Sequence, residues 1–177
     1  ASKNAYDKSI AEADQRFNSG QWEDAIALYQ TALNHKTGDS YPTSQINRAK
    51  EAIALVKQKQ EAYNQAVASA DKLMESGDFN GALAGYNQAL TIMPGSKYPQ
   101  DQITSINATL AANKSKDEQY QKLIAEADQL YQTGMLKKAV AIYNQALALK
   151  SQENYPSDQI AKINTQMEEI KAKQAAY

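Results

Sequence analysis

Apolar and tyrosine side chains recur three and four residues apart from Ile46 through Ala49, Ile53, Val56, Tyr63, Val67 and Ala70 to Met74, with Gln60 the only polar residue in the series. That spacing lays one stripe along one face of an α-helix. Tyr41-Pro42 opens the stretch and Gly77 closes it, and the 34 residues between Pro42 and Gly77 contain neither glycine nor proline. A loop in the middle would reset the phase, so the pattern predicts one helix of about 34 residues, roughly 50 Å long at 1.5 Å per residue. The competing reading is a bend near residues 57–61. Sharp kinks normally need a proline, a glycine or a bulge, and none is present.

The stretch recurs at a shift of 57 residues, as Tyr98 to Gly134 and again from Tyr155 onward. Three units fit without a gap, 6–62, 63–119 and 120–176, which makes residues 1–177 a single repeat array, with Tyr177 opening a fourth frame. Positions identical in all three, numbered in the first unit, include Tyr6, Ala13, Asp14, Gly20, Ala25, Tyr29, Ala32, Leu33, Tyr41, Pro42, Gln45 and Ile46. Gly20, Gly77 and Gly134 each fall where a helix should end on a left-handed residue. A second, shorter helix is expected from near Glu23, Asn80 and Lys137, with Ala25, Ile26, Tyr29, Ala32 and Leu33 on its inner face. Alanine at the inner positions lets an antiparallel helix pair approach closely. Tyr-Pro then marks the entrance to the next long helix, since proline suits the first helical turn.

The order of small, aromatic and glycine positions resembles the tetratricopeptide repeat, a helix-turn-helix unit that stacks into a solenoid. The matching residues are Ala13, Phe17, Gly20, Trp22, Ala25, Ile26, Tyr29, Ala32 and Leu33 in the first unit, Ala70, Gly77, Phe79, Ala82, Leu83, Tyr86, Ala89, Leu90 and Pro94 in the second, and Ala127, Tyr131, Gly134, Ala139, Val140, Tyr143, Ala146 and Leu147 in the third. The extra stretch of about 23 residues per unit is a departure from the usual repeat length, and resembles longer bacterial versions. The expectation is an all-α, tetratricopeptide-like helical repeat solenoid in which long helices alternate with short ones.

Composition narrows the function. A formal net charge of -1, from 19 basic and 20 acidic residues, supplies no basic field for nucleic acid. No apolar run approaches the length of a membrane-spanning helix, so no membrane insertion is expected. The absence of cysteine excludes disulfides and thiolate metal sites. His35, the only histidine, is matched by Ile92 and Leu149 in the other units, which argues against a ligand or general base. No phosphate loop, EF-hand or nucleophile elbow is present, so neither a cofactor nor catalysis is expected.

In the resembled family the first-helix face lines a groove for extended peptides. Carried over, that face gives Asp14, Phe17, Asn18, Asn64, Asp71, Met74, Glu75, Gln121, Asp128, Tyr131 and Gln132 as the candidate partner-binding residues. The repeated aspartates have a second reading, as structural hydrogen-bond acceptors, and repetition in every unit is what a structural role predicts. A carboxylate clamp is not supported, because Ile10, Val67 and Ile124 occupy positions where it would want lysine. Tyrosine at fixed repeat positions reads as an amphipathic core residue with a wet hydroxyl.

These observations point to a non-catalytic scaffold mediating protein-protein interaction, with a protein or peptide as partner. The alternatives are a rigid spacer between other domains of an envelope protein and a glycan-acting enzyme using carboxylates. The last would need two carboxyl groups facing one cleft. The resemblance sets the bacterial cell envelope ahead of the cytoplasm. No polar capping helix is evident at either end, so a fragment of a larger protein is expected, with end-to-end self-association through apolar ends.

Overall fold

A computed structural model describes residues 2–176. Seven helices follow one another: α1 (Ser2–Asn18), α2 (Trp22–His35), α3 (Ser40–Glu75), α4 (Phe79–Ile92), α5 (Lys97–Gln132), α6 (Leu136–Leu149) and α7 (Asn154–Ala175). No strand occurs among the described residues. Packing divides the chain into two compact units, Ala1–Ile103 and Thr104–Tyr177.

The long helices form as the periodicity predicts. α3 and α5 each run for 36 residues without interruption, so the bend near residue 60 does not occur in α3. The three turn glycines have φ of 75°, 80° and 77° at Gly20, Gly77 and Gly134. At each, the residue after glycine donates its N–H back to the helix, from Gln21 to the Arg16 carbonyl, Asp78 to Leu73 and Met135 to Leu130, all at 2.9 Å. This closure satisfies carbonyls that a helix end leaves orphaned, and it turns the chain directly into the short helix. Those short helices begin one residue earlier than the sequence suggests, at Trp22, Phe79 and Leu136. The Tyr-Pro prolines do more than set a backbone angle. Pro42, Pro99 and Pro156 are fully buried, while Tyr41, Tyr98 and Tyr155 beside them stay partly exposed.

In the first unit Ala13, Ala25, Tyr29 and Ile46 form a core, with Ile10, Phe17, Ile26, Leu28 and Leu33 packed around it. In the second, Ala127, Ala139, Tyr143 and Ile163 do the same, flanked by Ile124, Leu130, Val140 and Ile160 among others. Small residues at the crossings allow the close approach. At the α3–α4 crossing a Cβ built on Gly85 would lie 2.8 Å from the Ala70 Cβ and 3.3 Å from its Cα. Alanine at position 85 gains about 1 kcal/mol of helix propensity. Overpacking against a backbone atom costs about 1–3 kcal/mol. Gly85→Ala should therefore lose about 1 kcal/mol in urea unfolding; a stabilised variant would mean that α3 and α4 part easily.

The apolar seam of α3 is not buried throughout. Val56 is 51 % exposed, its neighbour Leu55 is 60 % exposed, and every residue from 54 to 61 is exposed. The N-terminal part of α3 packs on α2 and the C-terminal part on α4, and the middle has no such cover. Helix there rests on the good helix formers Ala54, Leu55, Lys57, Gln58, Lys59, Gln60 and Glu61, helped weakly by the exposed Lys57–Glu61 pair at 4.0 Å.

Candidate functional site

The three repeated aspartates lie half-buried on the first helix of each hairpin. Each carboxylate receives two phenol protons on a single oxygen. Tyr29 and Tyr41 donate to Asp14 Oδ1 at 2.5 and 2.8 Å. Tyr86 and Tyr98 donate to Asp71 Oδ1 at 2.7 and 2.9 Å. Tyr143 and Tyr155 donate to Asp128 Oδ1 at 2.5 and 2.9 Å. The paired rings meet edge to face, with centroids 6.3, 6.2 and 6.3 Å apart. That geometry sets the positive edge of one ring on the negative face of the other.

The clasp ties three consecutive helices together. Aspartate comes from the first, the fully buried tyrosine from the second, and the partly exposed tyrosine from the first turn of the third. Burial, and then the hydrogen bond to the aspartate, push the Tyr29, Tyr86 and Tyr143 phenols well above their usual range. They remain protonated donors at any physiological pH. Both phenols use Oδ1, so Oδ2 takes neither proton and the carboxylate keeps acceptor capacity toward the surface. The structural reading of the aspartates is thus the one this geometry supports.

A second tyrosine cluster sits at the other end of the first hairpin. Asp39 caps α3 by accepting the Tyr41 N–H at 3.0 Å, and it also accepts from Tyr6 Oη at 2.8 Å and Lys36 Nζ at 2.6 Å. The Lys36 ammonium, the Tyr41 amide and the Tyr6 hydroxyl together lower the Asp39 carboxyl to about 2. A carboxyl lowered on folding adds stability above its unfolded value near 4, and that contribution is lost as pH falls toward 2. Carboxyl NMR should place the Asp39 midpoint near 2, and Asp39→Asn should flatten the fall in stability across that window. A midpoint near the unfolded value would contradict the cluster.

Beside the aspartates lie open clefts. Asp14, Phe17, Asn18, Tyr41, Gln45 and Arg48 are among the residues around one of about 160 Å³. Asp71, Met74, Glu75, Tyr86, Tyr98 and Gln102 surround another of about 230 Å³. In the second unit Tyr131, Lys162, Thr165, Gln166 and Glu169 frame a third of about 390 Å³, from which Asp128 is absent. A cation covers the aromatic ring in two of them. The Arg48 guanidinium lies 5.2 Å from the Phe17 centroid and Lys162 Nζ 5.4 Å from that of Tyr131.

Of the sequence-derived candidates, Asp14, Phe17 and Asn18 share one cleft and Asp71, Met74 and Glu75 another, while Tyr131 belongs to the third. Asn64, Gln121 and Gln132 are exposed and line none of these three, and Asn64 accepts from Gln60 Nε2 at 2.9 Å. Sequence reasoning missed Arg48 and Lys162, because they come from the next helix at a position that holds Ser105 in the middle unit. It could have found Gln45 and Gln102 in the clefts, since that glutamine is identical in every unit. Among the described residues no group of three or more histidine, aspartate or glutamate side chains comes together to hold a metal ion. No described helix is long and apolar enough to cross a membrane. No family model matches the chain, and no curated protein is detectably similar to it.

Proposed function

We propose that the chain is a non-catalytic, tetratricopeptide-like repeat scaffold that binds a protein or peptide through the clefts beside its repeated aspartates. The observation that carries this reading is a division of labour between positions. Residues of the clasp are the same in every unit, whereas the cleft walls differ: Phe17, Asn18 and Arg48 in one, Met74 and Glu75 in its sister. Shared positions maintain the frame, and differing walls are what selective recognition requires.

α3 lines both clefts of the first unit, Gln45 and Arg48 serving one and Asp71, Met74 and Glu75 the other. From Arg48 to Asp71 the helix rises about 35 Å at 1.5 Å per residue. A partner occupying both would need roughly ten residues of extended chain, at 3.3–3.6 Å each. The glycan-acting alternative finds less support. Asp71 and Glu75 do share a cleft, but Asp71 is already the acceptor for two phenols, and about 230 Å³ is small for a ligand pocket.

A rigid spacer is the second reading, favoured by the uncovered middle of α3, which bridges two packed regions and touches little itself. Selection of extended peptides against the 177-residue chain separates the two. A binder weakened about tenfold by Arg48→Ala, and untouched by Leu55→Ala on the bare part of α3, supports the scaffold. Failure to select any saturable binder, or binding indifferent to Arg48, would leave the spacer.

A further inference from the structure

A further opening in the second compact unit does not lie beside an aspartate. In the second unit a groove of about 660 Å³ runs between the start of α6 and the outer part of α7. Met135, Leu136, Met167 and Ile170 give it an apolar floor, with Met135 47 % and Ile170 41 % exposed. Lys137, Lys138 and Lys171 rim it against a single acid, Glu168. Lys137 and Lys138 stand in the first turn of α6, where the helix dipole disfavours cations. Neither is in an ion pair among the described residues.

The sister positions in the first unit carry the opposite charge. Glu23 and Asp24 stand in the first turn of α2 where Lys137 and Lys138 stand in α6, and the middle one of the three sequence repeats has the uncharged Asn80 and Gly81. Trp22 replaces Leu136, and Val56, 51 % exposed, replaces Ile170. Between the first and third repeats these are the only two positions whose charges have opposite sign, so the reversal is a specific difference. One chain thereby presents the exposed acids Glu23 and Asp24 beside the half-buried Trp22 on its first compact unit and a basic apolar groove on its second.

We propose that the groove receives the Trp22–Asp24 end of α2 from a second copy of this chain. Trp22 supplies the apolar contact to Leu136 and Met167, and Glu23 and Asp24 meet Lys137 and Lys138. The two surfaces differ, so each contact is heterologous. This assembly is independent of the peptide-binding clefts. Charge complementarity makes it sensitive to salt, because exposed charges are screened beyond about 10 Å at 0.1 M.

Sedimentation velocity of the whole chain at rising concentration and low salt tests the proposal, with reversal of each surface. Self-association should appear in the wild type and weaken about tenfold or more in Lys137→Glu/Lys138→Asp, since like charges then face each other. Glu23→Lys/Asp24→Lys should behave the same way. An equimolar mixture of the two variants should associate again, as should a chain carrying all four changes. Acids at the start of α6 favour the helix, so melting of the first variant should be unchanged or higher, separating loss of contact from loss of fold. A wild type that stays monomeric, an association indifferent to the reversals, or a mixture that fails to recover it would each overturn the proposal.

Discussion

Tyr143→Ala should remove about 3–5 kcal/mol from the second unit, the usual cost of deleting a fully buried aromatic side chain. Tyr143 has no exposed surface, packs with Ala127, Ala139 and Ile163, and donates a hydrogen bond from its hydroxyl to Asp128. Against a domain stability of about 5–15 kcal/mol, a loss of that size leaves α6 undocked in a sizeable fraction of molecules. Tyr143→Phe separates the two contributions. It keeps the ring and loses only a hydrogen bond to a charged group, worth about 1.5 kcal/mol at a partly buried site. Asp128→Ala should fall between them, because it leaves two phenol hydroxyls without their acceptor, one of them belonging to the partly exposed Tyr155. Urea unfolding, with hydrogen exchange of the α6 amides, reads all three. Equal losses for Tyr143→Phe and Tyr143→Ala would mean that the clasp and not the packing carries the hairpin.

Gln60→Pro should cost about 3 kcal/mol or more and kink α3. Gln60 lies in the interior of the helix, and the exposed turns on either side of it have no neighbouring element to hold them straight once the backbone hydrogen bond is gone. Gln60→Gly, which keeps the N–H, should cost only about 1 kcal/mol, and Gln60→Ala almost nothing. This ordering is that of intrinsic propensity alone, as befits a segment without tertiary contacts. Circular dichroism and urea unfolding of the three variants give the comparison. A proline variant as stable as the wild type would show that α3 is already interrupted near residue 60.

Much of the fold was legible because its signals are local. Gly20, Gly77 and Gly134 announce the turns, and Tyr-Pro announces each long helix to within a residue or two. The uninterrupted phase from Ile46 to Met74 foretold a continuous α3, since a change of direction has to show itself as a break in period. Burial was less legible. Val56 fits the stripe perfectly and is nevertheless exposed, because periodicity tells which face is apolar and not whether anything covers it. The aspartates were visible as a repeated triplet, but their partners were not. Tyr29 lies 15 residues from Asp14 and Tyr41 lies 27 away, and only the closing of three helices brings both hydroxyls to one oxygen. Arg48 over Phe17 is hidden for the same reason.

The separation of the two clefts in the first unit depends on α3 behaving as one rod. The absence of native cysteine makes this directly measurable, with spin labels at Lys50→Cys and Ser69→Cys, both exposed and on opposite sides of the bare segment. Double electron-electron resonance on that pair should give a single narrow distance distribution a few ångströms above about 28 Å, since 19 helical residues rise about 1.5 Å each and the labels stand off the axis about 100° apart around it. A broad distribution, or one centred well below that value, would show that the chain bends or reverses near Gln60, and the fixed spacing between the two clefts would be lost.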